Sequence, residues 1–114
     1  MIDDQEQFAD AVRAAGQKVS DAELALAVAD AEEKRLVAHI MVRAELSSGA
    51  KSNAAQIRAA DESRDVYDMR VARGRAKGYL AAAKCEVQAA EMQFKQWQSN
   101  MANLRLEKHR IYNS

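Results

Sequence analysis

Positively charged residues recur at a fixed spacing in the second half of the chain. Six of them are candidate contacts for an anionic partner: Arg70, Lys77 and Lys84, followed by Arg105, Lys108 and Arg110. The first three are seven residues apart, which places them on one stripe of an α-helix. A row of cations at this spacing could follow the phosphates of a nucleic acid.

A second interpretation pairs the first cation group with acidic residues in the same chain. The first half of the chain is rich in Asp and Glu, and antiparallel helices would bring Arg70 and Arg73 within a turn of Asp30 and Glu33. Interhelical ion pairs of this kind fix the register of two helices. We favour this interpretation for the first group. The second group has no acidic counterpart in such a hairpin, so it suits an anionic partner or complements the helix dipole.

Other side chains that could bind a metal or act in catalysis are isolated from one another in the sequence. His39 and His109 have no converging ligands of the kind that a metal site needs. Cys85, the only cysteine, has no histidine near it in sequence, and a single free thiol is typical of a reducing cytoplasm. Gly-rich phosphate loops and nucleophile motifs are also missing from the sequence. We therefore expect no enzyme activity, no metal and no cofactor.

The elements that carry these residues are predicted from a heptad pattern. Apolar and small residues alternate in steps of three and four, and the chain has no proline to interrupt them. In the first half the stripe is Phe8, Val12, Ala15, Val19, Ala22, Leu26, Ala29, Glu33, Leu36 and Ile40. In the second half it is Val66, Met69, Arg73, Ala76, Leu80, Ala83, Val87, Ala90, Phe94, Trp97, Met101, Leu104, Lys108 and Ile111. The alanines allow two helices to approach closely.

Capping signals divide the chain into two helices. Asp3 and Glu6 resemble a capping box, Gly49 suits a helix end, and Ser52 or Asn53 suits a helix start. The pattern predicts one domain over 1–114, with a helix at about 3–46, a loop at 47–52 and a helix at about 53–112. The first helix is expected to be continuous or slightly bent near Gly16. The fold class is all-α, an antiparallel, coiled-coil-like helical hairpin.

The two predicted helices differ in length, roughly 65 Å against roughly 90 Å at 1.5 Å per residue. A hairpin that folds at Gly49 places residue i near residue 99 minus i, so the first helix ends near Gln96. Apolar residues near and beyond that point would then be left for another chain, and we expect self-association into a bundle. The predicted oligomer interface is Phe94, Trp97, Met101, Leu104 and Ile111.

The net charge and the apolar runs of the sequence limit the kinds of partner that we expect. There are 17 basic and 17 acidic residues, so the formal net charge is zero, which argues against a strongly basic nucleic-acid binder. The start of the sequence lacks the pattern of a signal peptide, and the longest apolar run is too short to span a bilayer. We therefore expect a cytoplasmic protein without a membrane partner.

The stretch 83–105 carries a resemblance to a known group of proteins. An alanine- and glutamate-rich helix leads to Phe94, a spacer, Trp97 and a polar, basic tail. This order is similar to the C-terminal part of small helical accessory proteins encoded by temperate tailed phages. The resemblance implies an intracellular phage protein, in the host cytoplasm, with a protein partner.

These observations favour a non-enzymatic interaction protein that binds or inhibits a host or phage protein through a helical surface. Its expected partners are itself and an unidentified protein. The alternative is a nucleic-acid-associated accessory factor for phage recombination or replication, which would use the two cation groups. A purely structural coiled-coil component is a third candidate.

Overall fold

The computed structural model describes residues 4–113, and the regular elements in that range are all helices. They are α1 (Asp4–Ser48), α2 (Asn53–Asp61) and α3 (Arg64–Asn113). The predicted all-α class is therefore confirmed for this part of the chain. The predicted capping box depends on Asp3, which lies outside the described residues.

The first helix passes through Gly16 and Ser20 without a break, as the continuous heptad phase predicted. Glycine costs roughly 1 kcal/mol against alanine inside a helix, too little to interrupt an apolar stripe that stays in phase. The predicted end at Gly49 is also confirmed, since its φ of 71° is a conformation that glycine adopts without strain. The Ala50 N–H donates to the Ala44 carbonyl at 3.1 Å, which ties the residue after Gly49 back to the end of α1.

The second helix, predicted as one element over 53–112, is divided in the structure into α2 and α3. Ser52 caps α2, because its Oγ accepts a hydrogen bond from the Ala55 N–H at 3.1 Å. Ser63 caps α3 in the same way, with its Oγ 3.4 Å from the Val66 nitrogen. A serine hydroxyl offers the backbone an alternative to a continuing helix. The heptad pattern alone did not reveal this break.

The described residues form two compact units. The central unit is Ser20–Ala81, and the terminal unit combines residues 4–19 with residues 82–113. Each unit contains a segment of α1 and a segment of α3, and the central unit also contains α2. The two long helices, α1 and α3, therefore each contribute to both cores.

Within both units the predicted stripe is buried or half-buried as far as Met101. In the central unit Val66 is fully enclosed at 0% exposure, and Ala76 is buried. In the terminal unit Ala15 and Ala83 are buried. At Ala15, Ala76 and Ala83 the buried side chains are small, so the cores are thin at these positions. The heptad pattern thus identified the packing face of each long helix.

The predicted register is wrong by about one helical turn. It placed Glu33 opposite position 66, whereas Glu33 of the central unit contacts Arg70 and Arg73. It placed Phe8 opposite position 91, whereas Phe8 of the terminal unit contacts Phe94 and Trp97. The contacting pairs are instead centred on the loop between α1 and α2, a few residues beyond the predicted fold at Gly49.

Candidate interaction surfaces

A buried carboxylate is the charged centre of the central unit. Glu33 is 5% exposed, and its Oε1 lies 3.1 Å from Nε of Arg70 while its Oε2 pairs with Nη1 of Arg73. Arg73 also lies 3.6 Å from an oxygen of Asp30. These contacts confirm the predicted pairing of Arg70 and Arg73 with Asp30 and Glu33. A charge at a core position is stable only when it is paired in this way.

A further acidic partner of Arg70 was not predicted from the sequence. Asp61, in the last turn of α2, accepts a hydrogen bond from Nη2 of Arg70 at 2.9 Å. The hydrogen bonds to Asp61 and to Glu33 raise the pKa of Arg70 above its usual value. Only the division of the second helix brings Asp61 back towards Arg70, so heptad spacing carried no signal for this contact.

The neighbouring carboxylate of Asp30 is held in its charged form. Its oxygen lies 3.0 Å from Nζ of Lys34, and this hydrogen bond, with the charges of Lys34 and Arg73, lowers the pKa of Asp30 below 3.8. The central unit therefore carries a network of alternating charges around one buried glutamate. Such a network sets the register of two helices and leaves Arg70 little capacity for an external phosphate.

The three cations of the first group consequently differ in their surroundings. Arg70 is engaged by two carboxylates. Lys77 is exposed and lines an open groove of about 370 Å³ in the central unit, beside Glu23 and Asp30. Lys84 is exposed in the terminal unit. The three cations lie on one helical stripe, but their contacts therefore differ.

Aromatic rings form the core of the terminal unit. The ring centroids of Phe8, Phe94 and Trp97 lie between 5.8 and 6.3 Å apart, so each ring contacts the other two. The indole Nε1 of Trp97 is buried and has no hydrogen-bond partner among the described residues. An exposed ion pair, Lys18 with Glu86 at 3.1 Å, also joins the two segments. The expectation that Trp97 projects beyond the first helix is wrong, because Phe8 covers it.

The end of α3 beyond Met101, residues 102–112, is exposed throughout, and we call it the α3 end. Its four large apolar side chains have exposed fractions of 48, 60, 73 and 84%, in the order Leu104, Leu106, Ile111 and Tyr112. The second cation group lies on the same segment and is exposed: Arg105, Lys108 and Arg110. Of the predicted interface, Phe94, Trp97 and Met101 are half-buried in this chain, and Leu104 and Ile111 are exposed. Self-association through these residues stays a prediction.

Two findings concern classes of site that the described residues do not contain. No group of three or more His, Cys, Asp or Glu side chains within 4–113 is arranged to hold a metal ion. None of the helices in that range is long and apolar enough to cross a membrane. His39 and Cys85 are both exposed.

Comparison with known proteins adds no relative. The chain matches no known protein family, no curated protein and no solved structure. The resemblance to phage accessory proteins therefore stays a prediction.

Proposed function

We propose that this protein is a non-enzymatic interaction protein that binds an acidic protein partner through the α3 end. The observation that supports this most is the change in exposure along the α3 stripe. The stripe is half-buried as far as Met101, and the positions that continue it, Leu104 and Ile111, are exposed. Exposed apolar residues in such a group commonly mark a binding surface.

The chemistry of the α3 end indicates the kind of partner. Arg105, Lys108 and Arg110 alternate with the apolar residues, and Glu107 is the only acidic residue between them. A partner helix or groove that is apolar at its centre and acidic at its rim would complement this surface. The apolar contacts would supply affinity, and the cations would steer the encounter and fix the orientation.

The proposal is tested by comparing two substitutions on the same helix, each of which replaces an exposed apolar residue with glutamate. Leu104→Glu lies in the α3 end, and Met92→Glu changes a 70% exposed residue outside it. Tagged wild-type protein and both variants would be used to capture proteins from a lysate. We expect the proteins bound by the wild type to be lost with Leu104→Glu and kept with Met92→Glu. Equal capture by both variants would refute the α3 end as the binding surface.

A second copy of the chain is the other occupant that the sequence suggested for this surface. If copies associate through the α3 end, sedimentation equilibrium at micromolar concentration should show a dimer or larger species for the wild type. Leu104→Glu should then reduce the mass, while Met92→Glu should not. Unchanged self-association in Leu104→Glu would exclude the α3 end as the surface through which copies associate.

Nucleic-acid binding is the second candidate function, and the exposed cations of the α3 end favour it. A protein that neutralises phosphates releases counterions, so its affinity falls steeply as salt concentration rises. A labelled oligonucleotide shifted at low salt and released at high salt would support nucleic-acid binding. Loss of the shift on Lys108→Glu, with binding unchanged on Lys34→Glu, would place the contact on the α3 end.

A further inference from the structure

The first helix carries a second apolar stripe, on the side away from α3. Within the central unit it consists of five exposed residues, which we call the outer stripe: Leu24, Val28, Arg35, Val42 and Leu46. The exposed fractions of the four apolar members are 66, 47, 54 and 81%. At 3.6 residues per turn all five lie within an arc of about 40°. A helix that is apolar on two opposite faces is typical of the interior of a bundle.

The order of residues in the outer stripe is palindromic. From either end it reads Leu, Val, Arg, Val, Leu, with the same steps of four, seven, seven and four residues. A two-fold axis beside Arg35 would place Leu24 opposite Leu46 of a second copy and Val28 opposite Val42. Interfaces with two-fold symmetry require such a self-complementary surface, in which residue i meets residue j of the second copy and residue j meets residue i.

The two edges of the outer stripe are self-complementary as well. One edge carries small residues, and the same axis brings Ala31 next to Ala38 of the second copy, which allows a close approach of the helices. The other edge carries charge, and there Glu32 would lie beside Arg35 and His39 of the second copy. All five residues are exposed in the described chain. The axis also brings the two Arg35 side chains near each other, and Glu32 of each copy offsets their like charge.

We propose that the outer stripe is a symmetric dimerisation surface, which pairs antiparallel with the outer stripe of a second copy. The palindromic order and the opposite charges flanking its centre select a second copy over an unrelated helix. The surface lies in the central unit, whereas the proposed partner site lies on the α3 end. The dimer therefore does not depend on the proposed function, and either can fail without the other.

Directional cross-linking tests the pairing. In a Cys85→Ser background, one chain carries Leu24→Cys and the other Leu46→Cys. Within one antiparallel dimer the two copies of position 24 would be roughly 33 Å apart, far beyond the Cα separation of about 7 Å that a disulfide tolerates. We expect neither variant alone to cross-link under mild oxidation. The mixture should form a disulfide in roughly half of its dimers, because half of them contain one chain of each kind.

Two controls make the cross-linking result decisive. Leu24→Cys mixed with Met92→Cys, which has similar exposure, gives the rate of random collision. Leu104→Glu added to both chains should leave the cross-link unchanged, since it alters only the α3 end. Cross-linking of either variant alone as fast as the mixture would overturn the antiparallel pairing. A mixture no faster than the collision control would overturn the dimerisation surface itself.

Exchange of the edge charges tests the position of the axis. Glu32→Arg or Arg35→Glu alone should weaken the dimer, because each leaves like charges facing one another across the axis. A chain that carries both changes should restore the pairing. A positive charge at position 32 then meets a negative charge at position 35 of the second copy. Exposed charge pairs are worth up to about fivefold in affinity each. A double variant as weak as the single variants would show that the axis does not pass beside Arg35.

Discussion

The two units of this protein build their cores from different chemistry. The central unit encloses Val66 and a buried glutamate that holds two arginines. The terminal unit encloses three aromatic rings, and its interhelical ion pair, Lys18 with Glu86, is exposed. Ion pairs have few acceptable geometries, whereas rings fill volume in several arrangements. The comparison suggests that the central unit fixes the helix register and the terminal unit supplies apolar area.

The largest expected effect concerns the aromatic core. Phe8→Ala removes the ring that contacts both Phe94 and Trp97, and it should destabilise the fold by about 3 kcal/mol. This value is at the low end for aromatic truncations because the rings are half-buried. Urea unfolding measures the loss, and Trp97 fluorescence should move to longer wavelength as the indole meets water. Tyr112→Ala, at 84% exposure, is the control and should stay within about 0.5 kcal/mol of the wild type. Equal effects of the two substitutions would show that the aromatic cluster is not a core.

The next largest effect concerns the charged core. Glu33→Ala leaves Arg70 and Arg73 without their buried partner, and it should cost about 2 kcal/mol, as for other hydrogen bonds to charged groups. A double-mutant cycle with Arg73→Ala should give a coupling free energy of about 1 kcal/mol. Glu45→Ala, an exposed carboxylate on the same helix, should change little. A coupling near zero would mean that the buried pair does not hold the helices in register.

A smaller effect is expected at the exposed ion pair of the terminal unit. Lys18→Ala should cost at most about 1 kcal/mol, since water and salt screen exposed charges. The same double-mutant cycle with Glu86→Ala should lose its coupling in 1 M salt, whereas the Glu33 and Arg73 coupling should largely persist. If salt removes both couplings equally, the contrast between a buried and an exposed ion pair disappears.

The smallest effect is a titration in the central unit. The pKa of Asp30 is lowered in the folded chain, first by the Lys34 hydrogen bond, so the unfolded chain binds the proton more readily. The stabilisation is therefore complete above the unfolded pKa near 3.8 and is lost as pH falls through the lower, folded pKa. NMR titration of the Asp30 carboxyl carbon should give a midpoint below 3.8, and Lys34→Gln should raise it. A midpoint unaffected by that substitution would exclude the Lys34 contact in solution.

The sequence predicted the helical class and the packing face well, because both follow from local spacing. Every stripe residue from Phe8 to Ile40 and from Val66 to Met101 is buried or half-buried. The ends at Gly49 and Ser52 were also predictable, since a glycine with positive φ and a serine cap act through neighbouring backbone groups.

The register and the division of the second helix were not predictable from the same pattern. A shift of about one turn keeps apolar residues facing apolar residues, so the heptad pattern cannot distinguish the two registers. The break at Ser63 depends on a competition between a hydroxyl cap and a continuing helix that spacing does not report. The contact of Asp61 with Arg70 followed from that break. Of the predicted oligomer interface, only Leu104 and Ile111 are exposed in this chain, and self-association through it stays a prediction.

Amide hydrogen exchange along α3 tests most directly whether the α3 end is an open surface. Amides of buried helix segments exchange only when the structure opens, whereas an exposed helix end frays readily. In the isolated protein at low concentration we expect residues 83–101 to exchange at least about a hundredfold more slowly than residues 104–112. Protection that continues unchanged to residue 112 would contradict the account, because the α3 end would then already be packed.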